Sequence, residues 1–146
     1  MRAQILIIPL VLCLVLQIDF SFGQKVKELK WKQDVKQFFP SIYQVELNTK
    51  IPKGCWTYSI DCVTDKLTCT RIDMLKTKNL RVGTITESGQ LKVFKKEKIY
   101  SNNVSYLINT SKIVLDSMAY LSLIIDYQVC DSVECEKFQK ELIFRF

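Results

Sequence analysis

Between Ala119 and Cys130 the chain alternates. Leu121, Leu123, Ile125, Tyr127 and Val129 share one parity, while Ser122, Asp126, Gln128 and Cys130 share the other. A period of two marks a strand with one buried and one wetter face. The last segment repeats the pattern, with Phe138, Leu142, Phe144 and Phe146 on one side and Gln139, Glu141 and Arg145 on the other. The short polar stretch from Asp131 to Glu134 between them predicts an antiparallel hairpin. Earlier strands are expected at Ile42 to Leu47, Trp56 to Ile60, Leu67 to Ile72, Leu80 to Ile85, Leu91 to Phe94 and Val104 to Ile108. Gly54, Gly83, Gly89 and the Asn102-Asn103 pair punctuate them. Such spacing, with no long 3.6-residue periodicity, predicts an all-β sandwich or barrel. The segment Val26 to Phe39 reads equally as a short helix or an edge strand. No internal repeat, linker or low-complexity tract interrupts the rest.

Residues 1–23 follow a different pattern. Arg2 precedes an almost unbroken apolar run from Ile5 to Ile18, and Ser21 and Gly23 place small residues at −3 and −1 before Gln24. That is the layout of a secretory signal peptide. The run is short for a stop-transfer helix, and Leu12 is bulky where a lipidation signal at Cys13 wants a small residue. The expected organisation is a leader, residues 1–23, and one domain, residues 24–146, with no stable membrane insertion. A domain of that size holds a real core.

Twenty-one Lys and Arg against fifteen Asp and Glu give a net charge of +6, and there is no histidine. Loss of Arg2 and Asp19 with the leader leaves the charge unchanged. The lysines are scattered, as in Lys25, Lys27, Lys30 and Lys32, or Lys92, Lys95, Lys96 and Lys98. Read functionally, they suit an anionic partner such as nucleic acid or a membrane surface. Read structurally, they are solvated strand and loop faces, and this reading is preferred. No arginine-rich stretch or aromatic RNA-binding motif is present, so no nucleic-acid partner is expected. The absence of histidine removes serine–histidine and cysteine–histidine nucleophile pairs and the commonest zinc ligand.

After the leader the cysteines are Cys55, Cys62, Cys69, Cys130 and Cys135, an odd number, so at least one has no partner within a monomer. A metal site would need four thiolates, and the spacings lack Cys-x-x-Cys knuckles. No metal or other cofactor is expected. Cys130 and Cys135 flank the hairpin turn and can meet across it. By parity Cys130 should lie on the wetter face, open to another protein's thiol. A bond closing so small a loop contributes only about 2 kcal/mol in the chain-entropy model. It is either a simple clip or an exchange site. Cys62 and Cys69 could clip neighbouring strands and leave Cys55 free, with other pairings open.

The run Ile124-Ile125-Asp126-Tyr127-Gln128-Val129-Cys130, followed by Cys135, resembles the N-terminal periplasmic domain of the thiol:disulfide interchange protein DsbD family. The resemblance covers about Phe39 to Phe146. It includes Trp56-Thr57-Tyr58-Ser59, similar to the family's early aromatic strand, and Thr70-Arg71-Ile72 and Ile99-Tyr100. It implies an immunoglobulin-like antiparallel β-sandwich. It also implies a periplasmic exchange module that passes reducing equivalents between thioredoxin-fold partners through transient mixed disulfides. Cys130 and Cys135 would then be the catalytic pair, with Cys135 attacking and Cys130 resolving, and Phe94, Tyr100 and Tyr127 the candidate cap or pocket residues. The chain departs from the family in having Glu136-Lys137 where prolines follow the second cysteine, in a short cap loop between Gly89 and Tyr100, and in Cys55, Cys62 and Cys69.

The resemblance places the protein in the periplasm of a Gram-negative bacterium and makes it a protein-disulfide reductase component. The alternative is a secreted, non-enzymatic β-sandwich binding module with purely structural disulfides. A third class, a secreted eukaryotic glycoprotein, rests on the sequons Asn103-Val104-Ser105 and Asn109-Thr110-Ser111, which suit a surface loop; the protein would then be extracellular.

Overall fold

The computed structural model of the chain describes residues 26–63 and 69–146. The expected leader, together with Leu67 and Thr68 of the expected Leu67 to Ile72 strand, lies outside the described residues. Eight strands follow in order: β1 (Trp31–Phe39), β2 (Ile42–Lys50), β3 (Trp56–Tyr58), β4 (Arg71–Lys78), β5 (Leu80–Phe94), β6 (Glu97–Lys112), β7 (Tyr120–Cys130) and β8 (Cys135–Arg145). Every pairing is antiparallel. One layer runs β1-β2-β6-β5 and the other β4-β7-β8, and β3 pairs with both β6 and β7 to join them.

The alternating residues form the core, as their period requires. Leu121, Leu123, Ile125, Tyr127 and Val129 of β7 face Val45 and Leu47 of β2 and Val104, Tyr106 and Ile108 of β6, all buried. Leu142 and Phe144 of β8 complete it. Trp31 binds the layers, its ring 5.8 Å from Tyr106 on one side and 5.4 Å from Tyr127 on the other.

Several boundaries differ from expectation. The ambiguous segment Val26 to Phe39 holds an edge strand paired, among the described residues, only with β2, and preceded by an irregular stretch that tucks Val26 and Leu29 into the core. Leu80 to Ile85 and Leu91 to Phe94 are one strand, because Gly83 lies within it and Gly89 makes a bulge rather than an end. The bulge needs glycine. Gly89 has φ +150°, and a Cβ there would lie 2.6 Å from the Asn103 carbonyl and 3.0 Å from the Tyr100 ring. The turn after β5 is two residues long, Lys95 and Lys96, both at positive φ (50° and 72°), as a tight hairpin demands. Asn102-Asn103 is likewise no break but the middle of β6. The sequon residues Asn103 and Asn109 therefore sit exposed on a strand, not in a loop.

Among the described residues no helix is long and apolar enough to cross a membrane.

Candidate functional site: the hairpin disulfide

The β7–β8 hairpin is closed by Asp131. Its N–H donates to the Glu134 carbonyl (2.9 Å), and its Oδ1 accepts the N–H groups of Val133 (2.7 Å) and Glu134 (2.8 Å). These two N–H bonds hold the Asp131 carboxyl below its ordinary range. Because residues 131 and 134 form a hydrogen-bonded pair, the next pair inward is non-hydrogen-bonded, the position where opposite Cα atoms come closest. That pair is Cys130 and Cys135, 4.0 Å apart at Cα and joined as a disulfide.

The two sulfurs have different surroundings. Cys130 was expected on the wetter face, and it does carry the outward parity, but it is wholly buried. The reason is β3, whose Trp56 lies directly opposite Cys130 and shares its face. The Phe94 ring packs on Trp56 at 5.5 Å between centroids, and Lys95 Nζ stands 5.3 Å over Phe94. The Tyr58 hydroxyl lies 4.0 Å from Cys130 Sγ, and Gln128 Nε2 lies 3.6 Å from it as a donor. Cys135, on β8, is exposed, and the hydrophobic Val133 beside it is 80% exposed.

Of the other residues singled out from sequence, Phe94 reaches this neighbourhood through Trp56. Tyr100 and Tyr127 lie inside the sandwich. Tyr127 accepts the Leu29 N–H through its hydroxyl (3.1 Å) and stacks on Phe138 (5.6 Å). Burial, and then the Glu87 carboxylate, pushes the Tyr100 phenol up to about 12. Cys62 and Cys69 are bonded to each other, with Cα atoms 5.4 Å apart, across the stretch 64–68. Cys55 is a free thiol, half-buried, and burial followed by the Asp131 charge pushes its pKa up, so it stays protonated at neutral pH. Among the described residues no three or more Cys, Asp or Glu side chains converge as metal ligands would.

Trp56, Tyr58 and Gln128 are the surroundings that sequence reasoning did not assign to the site. Gln128 had a signal, being two residues before Cys130 on the same face. Trp56 and Tyr58 had none, because nothing local says that β3 pairs with the end of β7.

No family model matches the chain, and no curated protein matches it. Solved structures do. The N-terminal periplasmic domain of ScsB from Proteus mirabilis is 14% identical with a TM-score of 0.55, over 81% of this chain and 46% of that one. The GAE domain of yeast GGA1 is 8% identical with a TM-score of 0.50, over 84% of this chain and 96% of that one. The DsbD N-terminal domain of Neisseria meningitidis, in the reduced form, is 16% identical with a TM-score of 0.44, over 79% of this chain and 89% of that one. At these identities the likeness is one of fold: an all-β antiparallel, immunoglobulin-like sandwich.

Proposed function

We propose that the protein is a thiol–disulfide exchange module of an extracytoplasmic compartment, acting through Cys130 and Cys135. The observation that carries this reading is the asymmetry of the pair, one cysteine exposed on β8 and the other buried beside Trp56 of β3. A partner's thiolate attacks in line with the bond, and the exposed Cys135 sulfur is the one it can reach. The Cys135–Cys130 bond breaks, a mixed disulfide forms on Cys135, and Cys130 leaves as a thiolate. Gln128 Nε2 and the Tyr58 hydroxyl are the donors beside that leaving sulfur, and hydrogen bonds to a thiolate favour its departure. The partner's second thiolate then takes the mixed disulfide apart and releases Cys135. Two electrons and two protons have passed to the pair, and the partner is left oxidised. In the reverse sense, reduced Cys135 attacks a target disulfide and Cys130 resolves it.

Such chemistry needs no histidine and no cofactor. The partners suited to it are thioredoxin-fold proteins carrying a dithiol. Two disulfides in one small domain belong with an oxidising compartment, consistent with the leader read in residues 1–23 and with the periplasmic origin of the ScsB domain. A Gram-negative periplasm is the specific location proposed.

The test is a redox titration of the purified protein in defined glutathione or dithiothreitol buffers, with alkylation and peptide mass mapping of the Cys130–Cys135 bond. Reversible titration at about −200 to −280 mV is expected, and Cys130→Ser should then trap partners on Cys135. A bond that stays oxidised well below about −300 mV would make the pair a clip, and the protein a binding module.

A further inference from the structure

The end of the sandwich remote from the disulfide carries a concentration of exposed apolar side chains that the exchange reading does not use. The β1–β2 turn presents Phe38, Phe39 and Ile42 there. The β6–β7 loop presents Ile113, Val114, Leu115 and Met118, with Ile113 67% and Met118 69% exposed. The two are fixed side by side, for Lys112 N–H donates to the Ser41 carbonyl (2.7 Å). The β4–β5 turn braces the loop: Ile113 N–H donates to the Asn79 carbonyl (3.2 Å), and the Asn79 amide exchanges hydrogen bonds of 2.8 Å with the N–H and carbonyl of Val114. The apolar residues are thus held out on a rigid platform and do not fold back onto the core.

Cations surround them. Lys76 and Lys78 end β4, Arg81 begins β5, Lys112 ends β6 and Arg145 ends β8. None of the five makes an ion pair with a described residue. Against them stand Asp116, Glu141, whose Oε1 accepts the hydroxyl of Ser122 opposite Lys76 (3.0 Å), and, at most, a terminal carboxylate on Phe146. An exposed apolar platform marks an interaction surface, and its charge selects the occupant. A second copy would bring two cationic rims together, whereas an anionic lipid surface complements the rim and accepts the apolar tip. The opposite end of the sandwich carries the Cys130–Cys135 disulfide. The lysine-rimmed groove at that end is different in kind, since its apolar floor, Leu29 and Ile51, is buried.

We infer that this end of the sandwich docks peripherally on an anionic membrane surface, with Phe38, Phe39, Ile42 and the 113–118 loop entering the interface and Lys76, Lys78, Arg81, Lys112 and Arg145 meeting lipid phosphates. β7 separates the two ends by about 34 Å at its ordinary rise per residue, so the docked protein holds Cys135 away from the lipid, towards soluble partners.

Sedimentation with vesicles of phosphatidylcholine containing one-third phosphatidylglycerol tests this, always comparing chains with the same N-terminus. Binding that weakens with salt is expected, falling about tenfold or more in Ile113→Asp/Met118→Asp and again in Lys78→Glu/Arg81→Glu. Circular dichroism and the unfolding midpoint should be unchanged in both, because the substituted side chains are exposed. Equal binding to pure phosphatidylcholine, or binding indifferent to both variants, overturns the proposal. So does a dimer in sedimentation velocity that the first variant dissolves, since the platform would then be an interface between copies. None of these outcomes depends on the redox state of Cys130 and Cys135.

Discussion

Asp131 shows how one side chain holds the geometry on which the disulfide depends. It accepts two N–H groups across the turn, and they stabilise its charged form. Its folded-state pKa therefore lies below the unfolded value. The resulting stabilisation is complete above the ordinary aspartate pKa of about 3.9 and is lost as pH falls through the lowered folded-state value. Asp131→Ala should accordingly lower the thermal midpoint at neutral pH, and the two curves should converge in acid. A deficit that persists unchanged in acid would mean that the carboxylate is not what holds the turn. The burial of Cys130 belongs to this scale as well. Parity assigned it correctly to the outward face, but parity describes only the strand's own two sides. A neighbouring strand, β3, pairs with the end of β7 and sets Trp56 beside Cys130 on that face.

At the scale of elements, strand character was legible wherever apolar residues alternate over a long run, as in β7 and β8, because a half-buried strand imposes that period on its sequence. Ends were less legible. Glycine and asparagine ordinarily mark turns, yet Gly83 and Gly89 lie within β5 and Asn102-Asn103 within β6. Gly89 is required for a different purpose: it lets β5 pass close over Tyr100 and the Asn103 carbonyl. Gly89→Ala combines backbone strain with that clash and should cost about 2 kcal/mol in urea unfolding. A cost below a few tenths would show that the bulge relaxes freely. The β1 segment was ambiguous because its residues face little but solvent, Trp31 apart. An edge strand with no buried face has no period to show.

For the whole molecule, the main core cluster lies between the two layers, and of the Cys62–Cys69 pair only Cys69 is buried, outside that cluster. That disulfide closes a loop of sequence separation 7, for which the chain-entropy model gives about 2 kcal/mol. The double variant Cys62→Ser/Cys69→Ser should therefore unfold cooperatively at lower urea, with the core intact. Loss of the folded state altogether would show that the bond organises the fold and does not merely clip it.

The sequence by itself determined the β class, the β7–β8 hairpin and the meeting of Cys130 with Cys135, since all three follow from local periodicity and a four-residue turn. The absence of histidine likewise removed serine–histidine and cysteine–histidine nucleophile pairs from the sequence alone. Only the tertiary structure decided which cysteine of the pair is exposed, which residues surround the other, and which apolar side chains gather at the far end. Those are matters of long-range pairing: β3 reaches Cys130 across more than seventy residues of chain, and no local pattern encodes such a contact.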